Sequence, residues 1–528
     1  MRLSPARFSF DRLSPVWRPR LIALGAGLAC GLAHPPFGIL LGLLGYAVLL
    51  HLLEGQGERP LRQAFFRGWL AGVGYFAVGV WWITEPFMVD AAAQGWMAPF
   101  ALLLMGGGLA LFWGLAALLH RLAAPRGWTR PFVFAGALTL TEFLRGHILT
   151  GFPWNLPGET WAAGSAPSQA AAYVGAYGLT WMTVALASSF VLLRAPDRSA
   201  RMRAAVGIAG ALGLLYGAGA VRLAHSPAPA PDAPRIRLVQ ANIDQKEKWR
   251  PENLNQIFAT YLELTARPGA PDVIVWPEGA LPAVIDDLLV PGRGYLEGLT
   301  RTLKPGQTLM TGANRVGPGP DGRTLYYNSL IALRREAPGL VLTGVYDKHR
   351  LVPFGEFLPL GGLAGKLGIR SLVHMPEDFT AGADPAPLQP QGVPALQPLI
   401  CYEALFPGFT RQAARRGGRP AWILNVSNDA WFGGGSGPLQ HLNIAAYRAI
   451  EEGLPIARAT PTGVTAMIDA SGRILPGKRL GLGGFGVVDA QLPAARPPTP
   501  YSRHGETFTA ILLLLSVAMA GVGRRDRK

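Results

Sequence analysis

Apolar residues in this chain gather into eight runs, at about residues 21–34, 37–53, 65–84, 97–119, 131–146, 167–193, 204–222 and 507–523. Seven follow one another closely, and the last closes the chain. A helix of ~20 apolar residues crosses a bilayer core, so these runs predict about eight membrane helices, several of them shorter than that length. Pro35-Pro36 separates the first two runs and predicts a tight helical hairpin. Gly25, Gly27 and Gly106–Gly108 lie within the runs, and small residues let helix backbones approach closely in lipid. A soluble helical core would not need eight such runs flanking a polar insert.

The insert has a different pattern. It begins after the proline-rich linker Ser226–Pro234 and ends near Ala495, before Arg-Pro-Pro-Thr-Pro. Short apolar runs predict strands at Ile236–Val239, Val273–Trp276, Thr308–Thr311, Ser329–Ala332, Leu340–Val345, Leu396–Ile400, Trp422–Val426 and Ala466–Ile468. Helical stretches at Glu252–Ala266 and His441–Glu452 alternate with them, so the insert is expected to be one α/β domain. The expected organisation is therefore residues 1–226 as a seven-helix membrane domain, 235–495 as the α/β domain, and 507–523 as a final membrane helix.

Charge orients these regions. Arginines cluster beside alternate runs: Arg59, Arg62 and Arg67; Arg121, Arg126 and Arg130; Arg194, Arg198, Arg201 and Arg203; then Arg524, Arg525, Arg527 and Lys528. Intervening loops carry Glu85, Asp90 and Glu159 instead. By the positive-inside rule both termini face the cytoplasm and the insert faces outward. The formal charge of +16 thus reads as membrane orientation, and no nucleic-acid motif accompanies it. The 16% charged and 49% hydrophobic composition agrees with a membrane protein carrying one soluble domain.

Chemistry concentrates in three stretches of the insert. An apolar strand ends at Trp276-Pro277 and is followed by Glu278, a poorly hydrated carboxylate of the kind a general base needs. Lys348 follows another strand and precedes the Pro353/Gly355 turn, where a cation can hold a thiolate or an oxyanion; Glu356 can orient its amine. Cys401 ends the run Leu396–Ile400 and opens Tyr402-Glu403. Of the two cysteines, Cys30 lies in an apolar run, so a disulfide is not expected and Cys401 is a candidate nucleophile. No His-Glu-x-x-His or paired Cys-x-x-Cys occurs, and neither metal nor cofactor is expected.

This Glu, Lys and Cys series, each member in its own motif, resembles the nitrilase (carbon–nitrogen hydrolase) superfamily. Further motifs, Phe152-Pro153-Trp154, Trp276-Pro-Glu-Gly279, Lys348–Glu356, Cys401-Tyr-Glu403 and Asn425–Phe432, are similar to those of the bacterial apolipoprotein N-acyltransferase family. The resemblance implies an αββα sandwich with Glu278 as base, Lys348 as stabiliser, Cys401 as nucleophile, and Glu356, Tyr402 and Glu403 in support. It further implies a phospholipid acyl donor, phosphatidylethanolamine, and a diacylated apolipoprotein acceptor. The implied location is the bacterial inner membrane, with the catalytic domain on the periplasmic face. Trp249 matches another motif of the family, and with Phe152 and Trp154 it is a candidate substrate contact.

A membrane-tethered amidase would use the same trio with water as acceptor, and an inert lipid-binding scaffold would retain it unused. The apolar, glycine-rich stretch Leu358–Val373 is expected to dip toward lipid, which favours a lipid substrate. Other signals carry less. Gly481–Gly486 fits a dinucleotide pattern but leads into Val487-Val488-Asp489, a strand rather than a helix. His441 opens a helical stretch in apolar company and is a weak candidate partner for Cys401. Ser427 and Ser436 lack the Gly-x-Ser-x-Gly surroundings of a serine nucleophile.

Overall fold

The computed structural model describes residues 17–55, 59–319, 322–359 and 378–525. All eight apolar runs are helical in it: α1 (Trp17–Leu32), α2 (Leu44–Leu53), α3 (Pro60–Gly79), α4 (Ala98–Ala123), α5 (Arg130–Arg145), α6 (Ala171–Ser188), α7 (Arg198–Ala224) and, at the end of the chain, Thr507–Arg525. Among the described residues, three helical stretches are long and apolar enough to cross a membrane: Ala91–Ala123, Pro167–Arg194 and Arg198–Ala224. The expectation of eight spanning helices is reduced accordingly. Leu40–Leu53 and Thr507–Val522 are apolar but shorter, and basic residues dilute the start of α3 at Arg62 and Arg67.

Glycine sets the spacing of this helical region. A Cβ on Gly27 would stand 1.8 Å from the Ala71 carbonyl oxygen, and one on Gly74 would stand 2.3 Å from that of Leu24. The crossing of α1 and α3 therefore exists only because both faces lack side chains at these points. Gly175 interrupts α6 with φ 70°, and a Cβ there would meet the Tyr501 ring at 2.2 Å.

Residues 235–491 form two sheets. The first has the order β11-β1-β2-β3-β4-β5, with β1 (Arg235–Gln240), β2 (Val273–Trp276), β3 (Thr308–Pro318), β4 (Thr324–Arg335), β5 (Leu340–Asp347) and β11 (Gly486–Gln491). The second has the order β10-β9-β8-β7-β6, with β6 (Leu396–Ile400), β7 (Trp422–Val426), β8 (Ile456–Ala459), β9 (Thr465–Ile468) and β10 (Ile474–Leu480). In each, three parallel strands are followed by two antiparallel ones. The expected strands are present, β3 and β4 being longer than their apolar centres. Those at β8 and β10 are additional: β8 carries Arg458 and β10 is largely polar, so neither reads as a long apolar run.

Four layers result. Leu238, Val275, Met310 and Leu330 of the first sheet pack on Leu396, Trp422, Leu424 and Ala457 of the second. The outer face of the first sheet, at Ile274, Trp276 and Leu309, is covered by α8 (Leu254–Ala266) through Phe258, Tyr261 and Leu264 and by α9 (Tyr295–Thr302) through Leu299. The outer face of the second sheet, at Ile423, Ile456 and Ile468, is covered by α11 (Gly437–Glu452), which follows α10 (Phe409–Gly417) in the chain. The terminal helix Thr507–Arg525 is α12. Burial on both faces explains why the parallel strands are continuous apolar runs rather than alternating ones.

The other side of α11 joins the helical region. Its Asn443 accepts from the Ala163 N–H (2.8 Å) and donates to the Glu159 carbonyl (2.9 Å), while the Tyr447 hydroxyl donates to the Trp161 carbonyl (2.6 Å). Glu451 accepts from the Ala176 N–H (2.9 Å), a backbone donor left free by the break at Gly175. Residues 440–451 of α11 thus present one polar stripe, and the loop between α5 and α6, with Ala176 of α6, supplies its partners.

Gly27→Ala is expected to lower the unfolding midpoint in detergent, since overpacking costs about 1–3 kcal/mol. Gly25→Ala, with nothing within 4 Å of the new Cβ, should leave the midpoint unchanged or raise it.

Candidate active site

Strand ends position the charged groups. Glu278 follows β2, Lys348 follows β5, and Glu356 sits in the turn beyond it. Lys348 is 1% exposed, and its Nζ lies 3.2 Å from Glu278 Oε1 and 2.9 Å from Glu356 Oε1. Asn328 on β4 bridges the same two oxygens, its Nδ2 donating to Glu278 Oε1 at 2.7 Å and to Glu356 Oε1 at 2.8 Å. The second oxygens are also used: Glu278 Oε2 accepts from the Asn428 N–H (2.6 Å) and Glu356 Oε2 from the Val352 N–H (2.8 Å). Burial works against the Lys348 ammonium, but Glu278 and Glu356 more than offset it and hold it protonated.

Cys401 is the first residue after β6 and has φ +47°, a left-handed conformation that a side chain adopts at a cost of about 1–2 kcal/mol. The bend aims the thiol out of the strand line. Burial pushes the thiol upward in pKa, the Glu278 carboxylate adds to this, and the Lys348 ammonium lowers it. At rest the group is therefore a protonated thiol beside a base and a cation. Three contacts fix the bend. Ile400 N–H donates to Glu403 Oε2 (2.8 Å), Asn425 Nδ2 donates to the Leu399 carbonyl (2.8 Å), and the Cys401 carbonyl accepts from His441 Nε2 (3.2 Å).

Glu403 links the cysteine to the lysine loop. Its Oε1 accepts from the His349 N–H (2.8 Å), the Arg350 N–H (3.2 Å) and the Tyr346 hydroxyl (2.9 Å). Burial pushes this carboxyl up to about 7 although backbone donors favour its charge. Tyr402 donates to the Gly151 carbonyl and stacks on Phe152, with ring centroids 6.5 Å apart. Phe152 is stacked on Trp154 and Trp154 on His441, at 6.1 and 5.7 Å. Trp154 is only 1% exposed and donates to Gln440, so it lies beneath the site and not at the expected entrance. Trp249 is half-buried beside Lys248, whose Nζ lies 5.8 Å from its ring centroid. From residue 360 onward the expected lipid-facing stretch lies outside the described residues.

Sequence reasoning did not single out Asn328, Asp429 or the positioning role of His441. Asp429 joins Ser427 (2.6 Å), His441 (2.9 Å) and Arg458 (2.5 Å) in a buried network behind Cys401. Asn328 stands in β4 between Tyr327 and Ser329, just before the apolar stretch Leu330–Leu333, and its burial is visible only in the fold. No group of three or more His, Cys, Asp or Glu suited to a metal occurs among the described residues.

Residues 235–496 match the carbon–nitrogen hydrolase family, which sets the class of this domain. Residues 26–189 match the apolipoprotein N-acyltransferase N-terminal domain. An apolipoprotein N-acyltransferase of Caulobacter vibrioides is 53% identical, covering 96% of this chain and 95% of its own. One from Bradyrhizobium diazoefficiens is 39% identical, covering 97% and 96%. Among solved structures, an amidase from Nesterenkonia sp. aligns with 54% of this chain and 97% of its own, at 18% identity and a TM-score of 0.36. The chain belongs to the apolipoprotein N-acyltransferase family and is an enzyme built on a carbon–nitrogen hydrolase domain.

Two measurements check the geometry. With Cys30 replaced by Ala, Glu278→Gln should let Cys401 react with iodoacetamide at lower pH, because a charge that raises the thiol is gone. Lys348→Met should move that reaction to higher pH. Gly312→Ala places a Cβ 2.4 Å from the Glu278 Cα, so it should slow Cys401 chemistry by about 10–100-fold in a folded protein.

Proposed function

We propose that this chain transfers a fatty acyl group from a phospholipid to the α-amino group of the N-terminal S-diacylglyceryl cysteine of apolipoproteins, completing lipoprotein maturation. The 235–495 domain works at the periplasmic face of the bacterial inner membrane, between the membrane domain of residues 1–226 and the last helix 507–523. The observation that carries the proposal is one buried ammonium shared by Glu278 and Glu356, beside a thiol held at a strained strand end.

Glu278 takes the Cys401 proton, and the sulfur attacks the donor's ester carbonyl. Lysine has three N–H groups, and Glu278 and Glu356 occupy two. The third is available for the developing oxyanion. The C–O bond then breaks, Glu278 returns the proton to the leaving lysophospholipid, and a thioester remains. The acceptor amine attacks that thioester, Glu278 takes a proton from the nitrogen, the C–S bond breaks, and the proton returns to the sulfur. Glu356 and Asn328 keep Lys348 in place; Glu403 and Tyr402 hold the cysteine turn. Phe152 and Trp249 contact lipid, with Trp154 packed beneath Phe152. Phosphatidylethanolamine is the proposed donor.

Purified protein incubated with acyl-labelled phosphatidylethanolamine should acquire hydroxylamine-sensitive label and pass it to a diacylated lipopeptide. Cys401→Ala should do neither. Release of labelled free acid in place of transfer would make the protein a hydrolase, and labelled Cys401→Ala would overturn the assignment of the nucleophile.

A further inference from the structure

Beside Glu278 lies a cluster of side chains that the chemistry above does not use. A single helical turn, Gln245–Lys248, packs against the residues after β7. Gln245, Lys248 and Asn428 are 6, 3 and 6% exposed. Asn428 Nδ2 donates to Gln245 Oε1 at 3.3 Å, which leaves Gln245 Nε2 and Asn428 Oδ1 buried without hydrogen-bond partners. Turning both amides over would exchange the roles, yet one amide N–H2 and one carbonyl oxygen would still be left over. Leaving such groups buried and unpaired is destabilising, so their persistence calls for a partner.

Lys248 adds a third group. A Cβ on Gly279 would stand 3.4 Å from its Nζ, and the Glu278 carboxylate acts on it electrostatically. Its only described side-chain contact besides these is the Trp249 ring. Burial lowers this lysine to about 8, with Glu278 opposing the shift. About a tenth of it is therefore neutral at pH 7, far more than of an ordinary lysine, and that fraction does not repel an incoming ammonium.

A partner for this cluster must both donate and accept hydrogen bonds. A phosphate only accepts, and it would set its charge against Glu278 and Glu356 as well as the free amide oxygen. The donor's ester carbonyl has no N–H to offer that oxygen, and an ethanolamine headgroup brings its ammonium only together with that repelled phosphate. A peptide N-terminus matches on each count: its amine donates and its first carbonyl accepts. That amine must also come to Glu278 to lose its proton.

Resting on the function proposed above, we propose that Gln245, Lys248 and Asn428 form the subsite for the acceptor's peptide end, binding its α-amine and first peptide carbonyl beside Glu278. The subsite reads the backbone of the first residue and leaves the diacylglyceryl group to the lipid.

Half-reactions test this. Lys248→Met and Gln245→Met should form the acyl-enzyme from labelled phosphatidylethanolamine within about threefold of the wild-type rate. Transfer to an S-diacylglyceryl-cysteinyl peptide should fall by about 10–100-fold in kcat/KM, mainly through KM, as expected where a site loses a hydrogen bond to its substrate. S-diacylglyceryl cysteamine, which keeps the amine but lacks the carbonyl, should be a poor acceptor for the wild type. The variants should discriminate against it much less. Equal slowing of both half-reactions, unaltered transfer, or retained discrimination would overturn the subsite. Failure of the wild type itself to form an acyl-enzyme would instead overturn the function on which it rests.

Discussion

One ammonium between two carboxylates governs the site. Lys348 is almost wholly removed from water, so Glu278 and Glu356 must stand where they do to keep it charged, and its charge is what lets the two carboxylates stand close together. Removing one partner of a buried pair typically costs about 3–5 kcal/mol, because the other is left uncompensated. Asn328 restricts the arrangement further by donating to both carboxylates. Lys348 lies 70 residues from Glu278 and 8 from Glu356 in sequence, and only the sandwich brings the distant segment in. Catalytic geometry and folding are consequently one problem.

Around this centre, hydrogen bonds tie each loop to the next. Glu403 joins the cysteine turn to the backbone after Lys348, and Tyr402 joins it to the loop at Gly151. His441 on α11 holds the Cys401 carbonyl, while neighbouring positions of the same helix bind the membrane domain through Asn443, Tyr447 and Glu451. A single helix thus touches both the Cys401 backbone and the helical region. The aromatic series Tyr402, Phe152, Trp154 and His441 fills the space between them.

Much of this was legible in the chain. Apolar strands ending abruptly in Glu278, Lys348 and Cys401 are local signals, and a strand doubly covered by helices must read as an unbroken apolar run. The helical character of the eight runs was equally plain, but their span was not, since short apolar helices and interrupted ones share a composition. What sequence could not supply was pairing across distance. Nothing near Asn328 says that it will meet Glu278 and Glu356, and nothing near His441 says that it will serve a carbonyl rather than a thiol. Trp154 misled for a related reason: an aromatic beside Pro153 fits a lip or an interior equally well, and the choice belongs to Gln440, which lies 286 residues away.

The stripe of bonds along α11 has a mechanical corollary. A catalytic domain joined to its anchor by a single flexible tether could bob above the bilayer, sampling lipids at many heights. Here α11 bonds to both the Cys401 carbonyl and the helical region, which would hold the sulfur at one height. In the orientation proposed above, every reactant must be raised to that one level. Selection would then depend on how far a molecule can rise out of the leaflet before its tails lose their footing.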